Sequence, residues 1–502
     1  MTLTIVRGGL VLDVVGRTVE PADILINGDR IAQIGAPGLD APDDAQVVKA
    51  CDRLVIPGLV NAHTHGHGSL GKGLGDKWSL ELLLNAAPWV SGGFTLEDKK
   101  LAAQLNGAEM VLKGCTAAYD LYFEFPTPSV DGLDAIAAGY ADVGVRVVLA
   151  PMMADTMLFD AIPGLLDTLP ETHREHVMKM KAAPAESHLE ACAAMVAGWS
   201  HDRLRARPAL GPTIPLHCSD DFIRGCRDLA NDFDLPVQMH LGESKVQALS
   251  GVTRYGTTLT AHLDMLGLLT PRFTGAHGVW LDDDDIRRLA DNGSSIAHNP
   301  ASNLRLGSGI APAFQMMKAG VGVGIGTDGS ASSDNQNMFE AMRTAAFVSR
   351  VMTPDPENWI GTWEALELGT LGGARVLGMD GDIGLIAPGF KADLVFLDLA
   401  NVNFVPLNDA ANQIVNCEDS SAVESVMVDG VMVLQERRFT QFDYDALRQK
   451  IQAAAERLTV QNTPTRARMD AMAQYVSSHC VGLACQSYHV ARRVDDKAGC
   501  QP

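Results

Sequence analysis

"PGLVNAHTHGHG", residues 57–68, places His63, His65 and His67 at alternate positions behind the buried-looking run Leu54-Val55-Ile56-Pro57-Gly58-Leu59-Val60. Alternate residues of a β-strand project to one face, so His63 and His65 point together where this strand ends. Gly66 and Gly68 flank His67. The strand has therefore stopped before His67, which is expected to face substrate and not to bind a metal. A His-x-His by itself is equally the product of coincidence or of a solvated loop, so its meaning depends on what else the fold brings beside it.

Outward from this stretch, residues 55–378 alternate apolar runs with amphipathic helices, the signature of repeated βα units and a parallel sheet. Thr95 with Asp98 predicts a capping box, apolar residues recur through Leu101, Leu105, Met110 and Val111, and Gly114 stops that helix. "CTAAYDLYF" is then a strand. Others are expected at "VRVVLAPMM" near 145, "RPALGPTI" near 207, "PVQMHLG" near 236, "FTGAHGVW" near 273, "SSIAHNP" near 294 and "GVGVGIGTD" near 320. With the opening strand these make eight, the number of a closed (β/α) barrel. Short β-rich runs precede them, with a tight hairpin at Asn27-Gly28, and return after Gly378 with a second at Asp429-Gly430. The expected fold is α/β: a distorted (β/α)8 TIM-like barrel over 55–378, beside a small β-sandwich built from both chain ends, 1–54 and 379–440. Residues 441–458 read as a helix and the rest, to 502, as a weakly ordered tail.

The chain has 502 residues, 46% of them apolar and 20% charged, so it can bury a large core. Its formal charge of −21 repels phosphate backbones and anionic headgroups, which excludes general nucleic-acid or membrane binding and suits a small neutral or cationic substrate. There is no apolar run of membrane-spanning length, and "MTLTIVRGGLVLD" lacks the pattern of a signal peptide, so a cytoplasmic location is expected. The nine cysteines include no Cys-x-x-Cys and read as reduced thiols. His479, Cys480, Cys485 and His489 match no common zinc spacing and are set aside.

The strand ends carry further metal-competent groups: His240, His277, His298 and Asp328 join the His63–His65 pair, and barrels of this kind build their sites at the carboxyl ends of strands. In order, "PGLVNAHTH", "MHLGE", "AHGVWL", "AHNPASNLRLGSGIAP", "GIGTDG" and the later "APGFKADLVFLD" resemble the amidohydrolase superfamily. The likeness is to its chlorohydrolase and aminohydrolase branch, which includes S-adenosylhomocysteine, guanine and triazine aminohydrolases, and it spans about residues 3–440. It implies one divalent metal held by His63, His65, His240 and Asp328, with Glu243 and His277 handling protons, and deamination or a related hydrolysis as the reaction. A homo-oligomer is implied by the resemblance alone.

The chemistry of the residues agrees. Three imidazoles and a carboxylate suit Zn²⁺, with Fe²⁺ the alternative, and an open coordination position lets the metal lower the pKa of water toward neutrality. Asp328 can also accept that water's proton. Glu243, three residues past His240, can deliver a proton to a ring nitrogen, where the plainer reading is a solvated loop charge. His277 can steer the attacking water, where the plainer reading is a satisfied core histidine. No lysine lies between Lys181 and Lys245, so the carboxylated-lysine bridge of two-metal relatives is missing and one metal is expected. His298 is read as supporting the pocket, and His298 and Asn303 are candidate substrate contacts.

Three apparent motifs are set aside. Gly324-x-Gly326-x-x-Gly329 spells a dinucleotide fingerprint but contains Asp328, where a pyrophosphate needs positive potential. His188-Leu-Glu190 opens like a cytidine-deaminase zinc motif that never continues. Asp282 to Asp285 is the charged first turn of a helix. The glycine-rich loop after the first strand carries Lys72, Trp78 and Trp89, an aromatic wall suited to a flat heterocycle. The expected activity is therefore a metal-dependent aminohydrolase attacking a cyclic amidine carbon. The alternatives are hydrolysis of an amide, urea or ring C–Cl bond at the same site, or a non-catalytic scaffold.

Overall fold

In the computed structural model of the chain, residues 3–494 are described. All eight expected strands form. Leu59–Thr64, Cys115–Phe123, Arg146–Met153 and the two-residue Gly211–Pro212 make one parallel sheet, to which Ala206–Pro208 also pairs. Val237–Leu241, Phe273–His277, Ser295–His298 and Gly322–Ile325 make a second parallel sheet. The two meet through a parallel bridge between Leu210 and Val237 and through the bond from His240 N–H to the Thr213 carbonyl, 2.9 Å. On the far side Asp328 N–H donates to the His63 carbonyl at 2.9 Å. The last strand is thereby brought against the first, and the groups at both ends are brought to one place.

Period-2 alternation governs these strands. Val60 and Ala62 join an apolar cluster with Ala117, Tyr119, Leu121, Val148 and Ala150, whereas Asn61, His63 and His65 alternate with them. Helices cover the parallel strands as their caps dictate. Thr95 and Asp98 form the expected reciprocal box at the start of Leu96–Leu112, and Gly114 follows it at φ 76°. Asp282 and Asp285 form another at the start of Asp283–Asp291, so the aspartate run is a helix start.

The two chain ends pair in a single nine-stranded sheet, as their β-rich patterns require. Arg53–Pro57 joins them, lying parallel to Leu3–Asp13 and antiparallel to Leu394–Asp398. The hairpin between Val423–Val428 and Val431–Gln435 turns on Asp429 and Gly430 with φ of 50° and 74°, the double left-handed conformation that this residue pair favours. Arg146, 1% exposed, ties this sheet to the parallel strands through Asp429 at 2.7 Å and Asp393 at 3.3 Å.

One expectation is corrected. The C-terminal helix does not end near 458 but runs over Tyr444–Ala484. Met469, Met472, Val476 and Cys480 extend its buried stripe into a cluster with Ala86, Trp89 and Val90. The four tail residues first weighed as a zinc site are spent separately: His479 donates to the Pro163 carbonyl, Cys480 is buried in that cluster, Cys485 ends the helix and His489 pairs with Asp282.

Candidate metal centre

Parallel register explains why groups far apart in sequence meet. His277 pairs with Leu241 and not with His240, and its φ of 77° turns its ring back toward His240, so that the two rings stack with centres 5.5 Å apart. Asp328 leaves the end of the last strand, beside the first, which ends in His63 and His65. Within this cluster His65 Nε2 lies 3.1 Å from His240 Nε2 and 3.2 Å from Asp328 Oδ1, which is 3.5 Å from His63 Nε2. The nitrogens of His63, His65 and His240 lie within 4.8 Å of one another, as do those of His63 and His277 with the Asp328 carboxylate. Gly326 and Gly329 are needed at this approach. A Cβ on Gly326 would come 2.8 Å from the His63 backbone nitrogen, and one on Gly329 would meet the His65 Cβ at 3.0 Å. The apparent dinucleotide motif is thus a packing device.

Each ring is aimed by its outer nitrogen. His63 Nδ1–H donates to Gln238 Oε1 at 2.7 Å, His65 Nδ1–H to the Leu121 carbonyl at 2.6 Å and His240 Nδ1–H to the Thr213 carbonyl at 2.7 Å. All three Nε2 lone pairs therefore face inward, and the His63 Nε2 is buried without a hydrogen-bond partner. Converging lone pairs repel unless a cation lies between them, and a carboxylate beside three imidazoles is a donor set that Zn²⁺ takes. The residues present fit the metal. The backbone is held to the purpose, since His277 and Asp328 adopt φ of 77° and 62°, unusual for residues with a Cβ.

Burial and neighbours set the charges. Burial pushes the His65 imidazole down to about 4 against the pull of Asp328, and holds His240 well below the usual range. Burial drives His277 down to about 3, again against Asp328. For Asp328 burial pulls upward, yet the surrounding imidazoles of His63, His65 and His277 favour its anion and hold it well below the carboxylate range. Ser302 Oγ–H and Gly329 N–H donate to its two oxygens at 2.5 and 2.7 Å. Glu243 is the opposite case. It is 1% exposed, Oε2 has no hydrogen-bond partner, and burial with the charges of Asp328 and Glu81 raises it far above the ordinary value. Its Oε2 lies 3.6 Å from His277 Nε2, which is 4.0 Å from Asp328 Oδ2.

A cavity of ≈ 610 Å³ opens onto the cluster, lined by His65, His240, Glu243, His277 and Asp328. His67 also lines it, its Nδ1 accepting from Phe123 N–H at 3.2 Å. The other expected substrate contacts lie elsewhere. Lys72 is ion-paired with Glu109. Trp78 and Trp89 pack edge to face, ring centres 6.1 Å apart, in the cluster that receives the C-terminal helix. His298 is buried outside the cavity lining, and Asn303 Oδ1 accepts from His277 Nδ1–H at 2.9 Å, so Asn303 orients that ring. The aromatic wall is supplied instead by Phe94, Phe123 and Phe125. Sequence reading missed these, although aromatic "YFEFP", where the second strand ends, was the available signal for Phe123 and Phe125. It also missed Gln238, whose alternation with His240 places it on the same strand face.

Three inward-facing imidazoles and an ionised carboxylate at the ends of parallel strands, with a buried proton-bearing acid beside them, define a metal-dependent hydrolase with one divalent ion. The chain belongs to the amidohydrolase family, whose profile matches residues 54–433. It is 31% identical over 456 residues to a 5'-deoxyadenosine deaminase of Methanobrevibacter smithii, covering 90% of this chain and 98% of that one. It is 33% identical over 455 residues to a 5-methylthioadenosine/S-adenosylhomocysteine deaminase of Haloarcula marismortui, covering 90% and 97%. Among solved structures it resembles an adenosine deaminase from Xanthomonas campestris with bound zinc, with TM-score 0.81 and 28% identity over 91% of this chain and 98% of that one. It also resembles an atrazine chlorohydrolase from Arthrobacter aurescens complexed with zinc, with TM-score 0.80 and 26% identity over 90% and 100%.

Proposed function

We propose that the protein is a zinc-dependent aminohydrolase that deaminates a cyclic amidine carbon of an N-heterocycle, adenosine derivatives being the first candidates. His63, His65, His240 and Asp328 would hold the metal, which when bound supplies a Lewis acid that lowers the pKa of water to near neutrality. Asp328, ionised, accepts the proton of the attacking water and later passes it to the departing nitrogen. Glu243 carries a proton at rest, because ionising a buried carboxyl with an unpartnered oxygen is costly, and delivers it to the adjacent ring nitrogen as that atom gains electron density. His277 gives its Nδ1–H to Asn303, so its Nε2 stays an acceptor that aims the water. Water adds to the amidine carbon, the ring nitrogen takes the proton of Glu243, and the C–N bond breaks with loss of ammonia or an amine while the proton of the added hydroxyl returns to Glu243 as the carbonyl forms.

One observation carries this reading: Oε2 of Glu243 is buried and unpartnered 3.6 Å from His277, beside the converging donors. Two carboxyls pushed to opposite protonation states in one site are an acid and a base waiting for a substrate. Ammonia release from a panel of aminated purines, nucleosides and triazines tests it. Chloride release or amide cleavage without deamination would reject it, and the likeness to a chlorohydrolase makes that arm necessary.

The closing contacts between the two parallel sheets support a (β/α)8 barrel over 55–378 entered at Leu59, since Arg53–Pro57 lies in the nine-stranded sheet shared by 1–54 and 379–440. The expected sandwich is thus a single sheet, and 441–502, described as far as 494, is an added C-terminal element. Free cysteines and the acidic composition support a reducing, cytoplasmic location. No described helix is long and apolar enough to cross a membrane.

A further inference from the structure

The cavity is larger than a reacting heterocycle alone would need, and lies in the range that encloses a substituted, drug-sized ligand. Outside the metal cluster its wall includes Leu84, Pro88, Phe94, Phe125, Leu158 and Met180, contributed by four separate segments of the chain. Lys99 is the one lysine in this lining, which contains no arginine among the described residues. Its ammonium is ion-paired with Glu124, whose carboxylate is itself saturated: it also accepts from Tyr122 Oη–H, from Ser129 N–H at 2.9 Å and from Ser129 Oγ–H at 2.9 Å. The two histidines of the wall that lie away from the metal are neutral, because burial holds His217 down to about 4 and His188 below the ordinary value.

Resting on the aminohydrolase reading, we infer that the substrate carries a neutral, apolar substituent beyond its reacting ring, and that substituents bearing a carboxylate or ammonium are rejected. A zwitterionic tail placed against this wall loses its water and finds no unpaired charge, since the unpartnered His188 Nδ1 is a neutral acceptor whose ring gives its N–H to the Ala154 carbonyl. Lys99 and Glu124 would have to be parted to supply one, leaving the other half of a largely buried pair exposed to the same penalty. An alkyl or deoxygenated tail instead gains by covering leucine, methionine and phenylalanine side chains. Of the substrates named for the relatives, this favours the 5'-deoxy and methylthio forms over S-adenosylhomocysteine.

The test uses the full-length, zinc-loaded protein and two matched pairs: 5'-deoxyadenosine against S-adenosylhomocysteine, and an ethylamino-substituted aminotriazine against its carboxymethylamino analogue. Within whichever pair is deaminated, kcat/KM for the neutral member should exceed that for the charged member by at least about tenfold. Equal turnover, or preference for the charged member, overturns the inference. Should neither pair release ammonia, these compounds are not substrates and the aminohydrolase reading is decided by the wider panel. Calorimetric binding of the same four compounds then decides the substituent preference: tighter binding of the neutral members upholds it, and no preference or the reverse overturns it.

Discussion

His65 Nε2 faces His240 Nε2 at 3.1 Å while the Nδ1 of each ring is committed to a backbone carbonyl, of Leu121 and Thr213 respectively. Two neutral imidazoles in this posture present lone pair to lone pair. A shared proton would relieve the contact, but burial opposes an imidazolium here, holding His65 down to about 4 and His240 lower than usual. A divalent cation resolves the contact and also satisfies the His63 Nε2.

The aiming of His63 makes Gln238 a positioning residue for the metal. Gln238 Oε1 accepts from His63 at 2.7 Å and its Nε2–H donates to the Ala62 carbonyl at 3.0 Å. Gln238→Ala should weaken zinc affinity about 10–100-fold with the fold intact, as read by competition with a chromophoric chelator and by circular dichroism. Unchanged affinity would remove Gln238 from the site.

In the proposed chemistry Glu243 touches the reacting atoms and leaves the metal to the other four side chains. Glu243→Gln should retain one zinc per chain while kcat falls about 10²–10⁴-fold, since the amide cannot cycle a proton. Loss of zinc along with activity would assign Glu243 to the ligand set instead.

How much of this could be read from the chain depends on the range of the interaction. His63 and His65 were legible because strand period is local, and the turns at Asn27-Gly28 and Asp429-Gly430 because the residues themselves favour left-handed backbone. The roles of Gln238 and Asn303 were not, because each is defined by a ring on another strand. Trp78 and Trp89 were misplaced for a related reason. A loop tryptophan serves a pocket wall or an anchor equally well, and the anchor's partner is a helix nearly 400 residues away. That helix was cut short because Thr459, Gln461, Thr463 and Pro464 interrupt its apolar period, which resumes at Met469, Met472 and Val476.

The extension of that helix bears on the pocket. Asn462 Nδ2–H donates to the carbonyls of Trp89 and Gly92 at 3.0 and 2.9 Å, and Asn85 donates to the Met469 carbonyl at 3.0 Å. These bonds fix Leu80–Val90, which lines the cavity through Leu83, Leu84 and Ala87. Asn462→Ala should lower stability by about 1–3 kcal/mol and raise KM more than it lowers kcat, checked by thermal unfolding and steady-state kinetics. An unchanged KM would show that the wall stands without its brace.

A pH effect is expected away from the metal. Burial raises Asp285 to about 6 despite its hydrogen bond from Thr258. Between its unfolded value near 3.8 and about 6 the folded chain keeps a proton that the unfolded chain has lost, so this group's contribution to stability falls as pH rises through that window. Asp285→Asn should abolish that slope, gaining on the parent between pH 4 and pH 7 by up to about 3 kcal/mol in denaturant unfolding. A parallel pH dependence in the two proteins would contradict the assignment.

The central claim is most directly tested by anomalous diffraction at the zinc edge from crystals of the zinc-loaded protein. The account predicts one peak, about 2.0–2.2 Å from the inward Nε2 of His63, His65 and His240 and from a carboxylate oxygen of Asp328. Two peaks in the site, or a single peak elsewhere with these four side chains unliganded, would contradict it.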